Sequence, residues 1–305
     1  MRADSWAQYC RAALVRSVAS AGAQFPGPGA AAPEQVHDVR KTLKEARAIA
    51  RLFLHCVGEP ARVTIAAFAA TRRQIGRARD LDVMAVRLER LAPPAEISEQ
   101  LKAAIRRERQ VARRARRGLS ANATRARLNA IAKRLGGWDL SAVATEEIVR
   151  AVARTYRQAR KRGRLAFDSD EPAALHAFRG RVVDLRYQLA LVACAWPEAL
   201  NAQAEGLDEL RDVLGAFNDL HVLAKFAAES GGLIPQALEE VNARTASKQR
   251  KLRRRAKAEF DRLFAETPSA FRSRLAAYLA RPVTKPTAKE DEPAAPQGEG
   301  VTPRA

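Results

Sequence analysis

The stretch PEQVHDVRKTLKEAR, residues Pro33 to Arg47, returns as PAALHAFRGRVVDLR, residues Pro172 to Arg186. Pro33, His37, Arg40 and Arg47 reappear as Pro172, His176, Arg179 and Arg186, each 139 residues further on. The offset then holds without a gap. Ile75-Gly76 and Asp80-Leu81 of IGRARDLDV match Leu214-Gly215 and Asp219-Leu220 of LGAFNDLHV at the same separation. Two motifs kept at one offset identify two copies of a supersecondary unit, and the residues shared by both copies are the first to question for function.

Both copies read as helix, and so does almost everything around them. Apolar residues recur at helical spacing, helix formers dominate, and alternating β-branched runs are missing. The pattern predicts helices over 4–23, 34–57, 61–91, 95–118 and 121–135, then over 145–162, 173–195, 199–229, 235–266 and 268–280. Pro33, Pro60, Pro93-Pro94, Gly136-Gly137, Pro172, Pro197, Gly231-Gly232 and Pro268 punctuate them. The fold class is all-α, and long helices joined by short loops favour antiparallel bundles. A first helical half would cover 4–137 and a second 145–280. The remainder, 281–305, has five prolines and scarcely a bulky apolar residue, so a disordered tail is expected there.

Charge sets the class of partner. The chain has 305 residues, 54 Lys and Arg against 34 Asp and Glu, a net charge of +20 and a pI near 10.9. Such a balance points to a polyanion: nucleic acid, an anionic membrane surface or a phosphate polymer. In the tail the basic residues Arg281, Lys285, Lys289 and Arg304 are offset by Glu290, Asp291, Glu292 and Glu299, so the excess belongs to the helical part. Cys10, Cys56 and Cys194 form no CxxC pair. Three unpaired thiols suit a reducing compartment, and a cytoplasmic location is expected. Asp4, Arg11 and Arg16 interrupt any signal-peptide core, and neither secretion nor membrane insertion is expected.

The excess is organised along helix faces. On the first repeated helix His37, Arg40, Lys44, Arg47 and Arg51 fall within roughly 80° of one another, beside the apolar stripe Val36, Val39, Leu43, Ala46, Ala50 and Leu54. In the second copy His176, Arg179 and Arg186 repeat the ridge, while Gly180 and Val183 stand where Lys41 and Lys44 do. A second stripe, Lys102, Arg106, Arg109, Arg113 and Arg116, has its counterpart in Arg244, Lys248, Lys251 and Arg255; Lys248 and Arg255 follow Arg109 and Arg116 by 139. These stripes lack the Lys–Glu alternation of an ordinary solvated face, so they read as surfaces for an anion.

Taken in order, His37-x-x-Arg40 with Arg47, Gly76-x-x-Arg79-Asp80, Leu175-His176-x-x-Arg179 with Leu185-Arg186-Tyr187, and Leu214-Gly215-x-x-Asn218-Asp219 resemble the CHAD family, the conserved histidine α-helical domain. The resemblance covers about residues 4 to 280. It implies paired helical bundles related by a pseudo-twofold axis, a basic central surface that binds inorganic polyphosphate, and association with polyphosphate granules. Some members carry a triphosphate-tunnel enzyme domain with an ExExK signature, which this sequence lacks, so a free-standing binder is implied. Glu45, Gly180, Val183 and Asp184 depart from the Lys and Arg common at those positions.

A phosphate chain offers repeated charge, no base and no apolar face, so its binder needs many Arg and Lys along an extended track. Arg presents a planar fork to two phosphate oxygens and Lys a point charge. The candidate contacts are His37, Arg40, Lys41, Lys44, Arg47, Arg51, Lys102, Arg106, Arg109, Arg113, Arg116, His176, Arg179, Arg186, Arg244, Lys248, Lys251 and Arg255. His37 and His176 either donate to phosphate or sit as neutral rings on a carboxylate such as Asp80 or Asp219. Those two aspartates are expected to support the site by neutralising an Arg or His, with metal binding as the alternative. Gly76 and Gly215 suggest a close helix approach.

Two other classes remain. Sequence-independent nucleic-acid binding would use the same arginines, although aromatics are only 6% of the chain and few interleave with the stripes, so weaker binding is expected. A metal-dependent phosphohydrolase would gather carboxylates around Mg²⁺, whereas the Asp80-x-Asp82 pair is not repeated because His221 stands opposite Asp82. The reading is therefore a binding protein, not an enzyme, with no cofactor and no resident metal.

Overall fold

The computed structural model describes residues 5–24, 33–74, 77–117, 121–169, 171–230 and 232–280. Among them are eleven α-helices and no strand: α1 (Trp6–Gln24), α2 (Pro33–Ala50), α3 (Glu59–Gln74), α4 (Arg77–Leu91), α5 (Ala95–Arg117), α6 (Ala121–Gly136), α7 (Thr145–Phe167), α8 (Pro172–Val192), α9 (Pro197–Ser230), α10 (Pro235–Leu263) and α11 (Pro268–Leu279). Short 3-10 turns, Arg51–Phe53 and Ala193–Ala195, follow α2 and α8. The expected tail, 281–305, lies outside the described residues, as do Ile75 and Gly76.

The element order repeats with the sequence. Shifted by 139 residues, α1 falls on α7, α2 on α8, α5 on α10, and α3 with α4 together on the single long α9. Packing repeats too. α1 lies against α2 and α6, as α7 lies against α8 and α11, while α4 lies on α5 as α9 lies on α10. Across the halves, α2 packs on its own counterpart α8, and α4 on α9. The expected helix over 61–91 is described as α3 and α4, and residues 75–76 between them lie outside the described residues. The expected continuations past Ala50 and Val192 tighten into 3-10 turns, a common way for a long helix to end.

The apolar residues do not divide by half. One core runs from Trp6, Leu14, Leu43 and Phe53 through Tyr156, Phe178 and Leu210 to Phe271 and Leu279. A smaller core joins Leu88, Leu101 and Ile105 of the first half to Leu223 and Val241 of the second. Small residues allow the closest contacts. A methyl group added at Gly163 of α7 would lie 2.2 Å from the Phe260 ring, so glycine there lets α10 seat its aromatic side chain.

At the α2–α8 crossing, Ala48, Val183 and Tyr187 form a third, small apolar cluster. Beside it Gln188 Nε2 donates to the Ala48 carbonyl at 2.9 Å. The fully buried Asp184 of α8 meets Arg47 and Arg51 of the first half at 3.5 and 3.3 Å and Arg181 at 3.2 Å. This crossing fixes the two repeated His-Arg helices against each other.

Candidate functional site

Arg40 on α2 is held twice. Its Nη2 donates to Asp80 Oδ1 of α4 at 2.9 Å, and its Nη1 to the Arg72 carbonyl of α3 at 3.4 Å. Arg179 repeats the second bond in the other half, where its Nε donates to the Arg211 carbonyl of α9 at 3.4 Å. Arg72 and Arg211 are themselves 139 residues apart, each four residues before a repeated glycine, Gly76 or Gly215. The repeat therefore marks this pair in the sequence, although neither residue belongs to the basic ridges of α2, α5, α8 and α10.

Lys44, one turn beyond Arg40, sits half-buried among these groups. Burial and then the charges of Arg179, Arg72, Arg211 and Arg40 push its pKa down to about 8. The strongest charge effects on this amine are thus all repulsive and come from α2, α3, α8 and α9, in both halves. Burial also lowers the pKa of Arg72, with Arg47 and Arg40 adding to the effect. For Arg179 burial again leads, opposed by Asp219. Like-charged groups desolvated together cost free energy unless an anion compensates them. The arrangement is a cation cluster suited to an anion with many oxygens.

Gly215 makes room for part of it. A methyl group there would lie 3.3 Å from Arg179 Nη2 and 3.4 Å from its Nε, so the glycine admits a guanidinium to the surface of α9. The expected close approach exists, but a side chain makes it and not a helix backbone. Gly76 lies outside the described residues.

Carboxylates hold the arginines from the side. Asp219 accepts from Arg87 Nε at 2.9 Å, so both repeated aspartates serve arginines, Asp80 through Arg40 and Asp219 through Arg87. Arg186 Nε lies 3.0 Å from Asp208, and Arg211 bonds both Asp208 and Asp212. Glu45 faces Arg186 and Lys41, which lower its pKa against the larger upward push of burial. Arg47 and Arg51 belong to the ridge, yet both turn toward Asp184. Among the described residues no three His, Cys, Asp or Glu side chains gather as a metal ion would require.

The histidines are exposed. His176 Nδ1 donates to Asn218 Oδ1 at 2.9 Å, so on this nitrogen the ring meets a neighbouring amide and not a carboxylate such as Asp80 or Asp219, one of the two arrangements the sequence left open. The amide fixes the ring while leaving Nε2 available to a ligand. His37 has Arg79 where His176 has Asn218, and the Arg79 side chain lies outside the described residues.

The second pair of stripes differs from its reading in sequence. Lys102 bonds Glu99 at 2.8 Å and Arg109 bonds Asp82 at 2.6 Å. Arg244 bonds Glu240 on its own helix and the Ala92 carbonyl at 3.0 Å, and Lys248 donates to the Arg90 carbonyl. The stripes are therefore not free of acidic partners. Long side chains reach three or four residues back along a helix, and cations of α10 satisfy carbonyls left open at the end of α4. Arg106, Lys251 and Arg255 stay exposed, as does Lys41 on α2. The side chains of Arg113 and Arg116 lie outside the described residues. None of the charges that act most strongly on Lys44 comes from α5 or α10.

The comparisons agree with this architecture. The crystal structure of the CHAD domain from the plant Ricinus communis superposes with a TM-score of 0.58 at 19% identity, covering 93% of this chain and 96% of that one. At that identity the likeness shows a shared fold. No curated protein matches the chain. The family model for the CHAD domain matches residues 17–228, which run from α1 nearly to the end of α9 and include both copies of the repeat. The chain belongs to the CHAD domain family.

Proposed function

We propose that this protein binds inorganic polyphosphate at the cluster formed by Arg40, Lys44, Arg72, Arg179 and Arg211. The observation that carries the proposal is Lys44, a half-buried amine whose strongest charge interactions are with four arginines from four helices. Membership of a family associated in general with polyphosphate binding supports it. Arg47, Arg186 and the exposed His176 and His37 extend the cluster along α2 and α8. Exposed Lys41, Arg106, Lys251 and Arg255 offer later contacts to a long polymer. The reading is of binding without cleavage, in the cytoplasm and on polyphosphate granules.

The test is a titration of the protein with long-chain polyphosphate, duplex DNA and RNA at matched phosphate concentration and several salt concentrations. Polyphosphate is expected to bind tightest, because its charges are more closely spaced and the site has few aromatic surfaces on which bases could stack. Affinity should fall as salt rises. A preference for RNA would favour a nucleic-acid protein, and release of orthophosphate with Mg²⁺ or Mn²⁺ would establish a hydrolase. Loss of affinity when Arg72 and Arg211 are both changed to Gln, with helix content retained, would locate the site at the cluster.

A further inference from the structure

A cavity of about 910 Å³ opens where the segment joining α2 to α3, the start of α3, the end of α6 and the start of α7 meet. We propose that it binds a small amphiphilic carboxylate, a molecule with one carboxylate on an apolar aliphatic body. The cavity shares no lining residue with the cation cluster, so this site is independent of the polyphosphate reading.

The walls set the body of the ligand. Val57, Pro60, Val63, Trp138, Ala142 and Val143 line the space. Val63, 45% exposed, is among the large apolar side chains that the fold leaves open to solvent. A concavity of this size with mostly apolar walls is typical of small-molecule sites, and covering such walls drives association. A phosphate polymer has no apolar part to place there.

The polar groups set the charge. Glu59 pairs with Arg62 at 3.6 Å, Glu147 accepts from Arg150 Nη1 at 2.5 Å, and Asp139 accepts from the Ser141 backbone N–H at 2.9 Å. Each acid at the cavity thus has a donor of its own. Arg134 also lines the cavity, and among the described residues its guanidinium has no ion pair or hydrogen bond. Its planar fork matches the two oxygens of a carboxylate.

A second donor lacks an acceptor. Trp138 is 4% exposed and packs its ring on Phe53 with centroids 5.5 Å apart, yet its Nε1 is buried without a hydrogen-bond partner. Buried donors are nearly always paired, and the other buried indole, Trp6, donates to the Leu279 carbonyl at 3.0 Å. A carboxylate held by Arg134 supplies the missing acceptor once side chains at the wall adjust, as they commonly do around a ligand.

The full chain would be titrated by calorimetry with decanoate and with decylammonium, both below their micelle concentrations, while the indole N–H signals are followed by nuclear magnetic resonance. Decanoate is expected to bind one to one and to shift the Trp138 signal, identified by its loss in Trp138→Phe, while the Trp6 and Trp196 signals stay in place. Decylammonium should bind at least about 10-fold more weakly. Arg134→Gln should weaken decanoate about 10-fold, and Val63→Asp, which puts a charge on the apolar wall, should also weaken it. Both positions are exposed, so both variants should keep their helix content. Long polyphosphate should not displace decanoate. Absence of saturable decanoate binding, tighter binding of decylammonium, or affinity indifferent to both substitutions would overturn the proposal. Displacement by polyphosphate would overturn it too, by placing the fatty anion on the cation cluster. Decanoate binding at this cavity in a protein that fails to bind polyphosphate would leave this inference standing and remove the polyphosphate reading.

Discussion

Lys44 shows how one residue can oppose stability while serving a site. Its folded pKa of about 8 lies below the ordinary value near 10.4, so between those values the unfolded chain binds more protons and stability rises with pH. Below about pH 8 the full penalty is present. Lys44→Met is therefore expected to stabilise the protein at pH 7 by about 1 to 3 kcal/mol, an advantage that closes near pH 10, as urea unfolding at both pH values would show. The same substitution should weaken polyphosphate binding. Because a bound anion raises the amine's pKa, wild-type binding should take up protons near pH 8 and weaken as pH rises, which calorimetry in buffers of different ionisation enthalpy measures. Gly215→Ala separates fold from site in another way. Alanine improves helix propensity by about 1 kcal/mol but crowds Arg179 at 3.3 Å. Stability should change by less than about 1 kcal/mol, while affinity drops as the guanidinium is displaced.

Elements were easier to read than the bonds between them. The repeated ridge, the proline and glycine punctuation and the helical period were local signals, and they located nearly every helix to within a few residues. Which arginine meets which carboxylate depends on packing between distant segments. Arg109 and Lys248 correspond in sequence, yet Arg109 bonds Asp82 while Lys248 binds the Arg90 carbonyl. The acid is not repeated, since His221 stands in place of Asp82. Asp184 is the clearest case. It looks like a lost basic contact in sequence, and folding makes it a buried counterion for Arg47, Arg51 and Arg181 at the α2–α8 crossing. Asp184→Ala should leave those cations uncompensated and cost about 3 to 5 kcal/mol, measured by denaturant unfolding. A loss below about 1 kcal/mol would show that water compensates the arginines and that apolar packing alone holds the crossing.

At the scale of the whole molecule, repetition in sequence does not mean independence in folding. The larger core takes Leu43 and Phe53 from the first half with Phe178 and Leu210 from the second, and the smaller joins Leu88 to Leu223. Neither half can bury its apolar surface alone, and the cation cluster is complete only when Arg40, Lys44 and Arg72 meet Arg179 and Arg211. The described helices should therefore unfold in one cooperative heat transition, with calorimetric and van't Hoff enthalpies in agreement. Leu43→Ala in the larger core and Leu223→Ala in the smaller remove fully buried side chains, and each should cost about 2 to 5 kcal/mol. Both variants should lower the same transition and leave it single. Two resolved transitions, with each variant moving only one of them, would mean that the cores fold separately and that the cluster between them forms only as they dock.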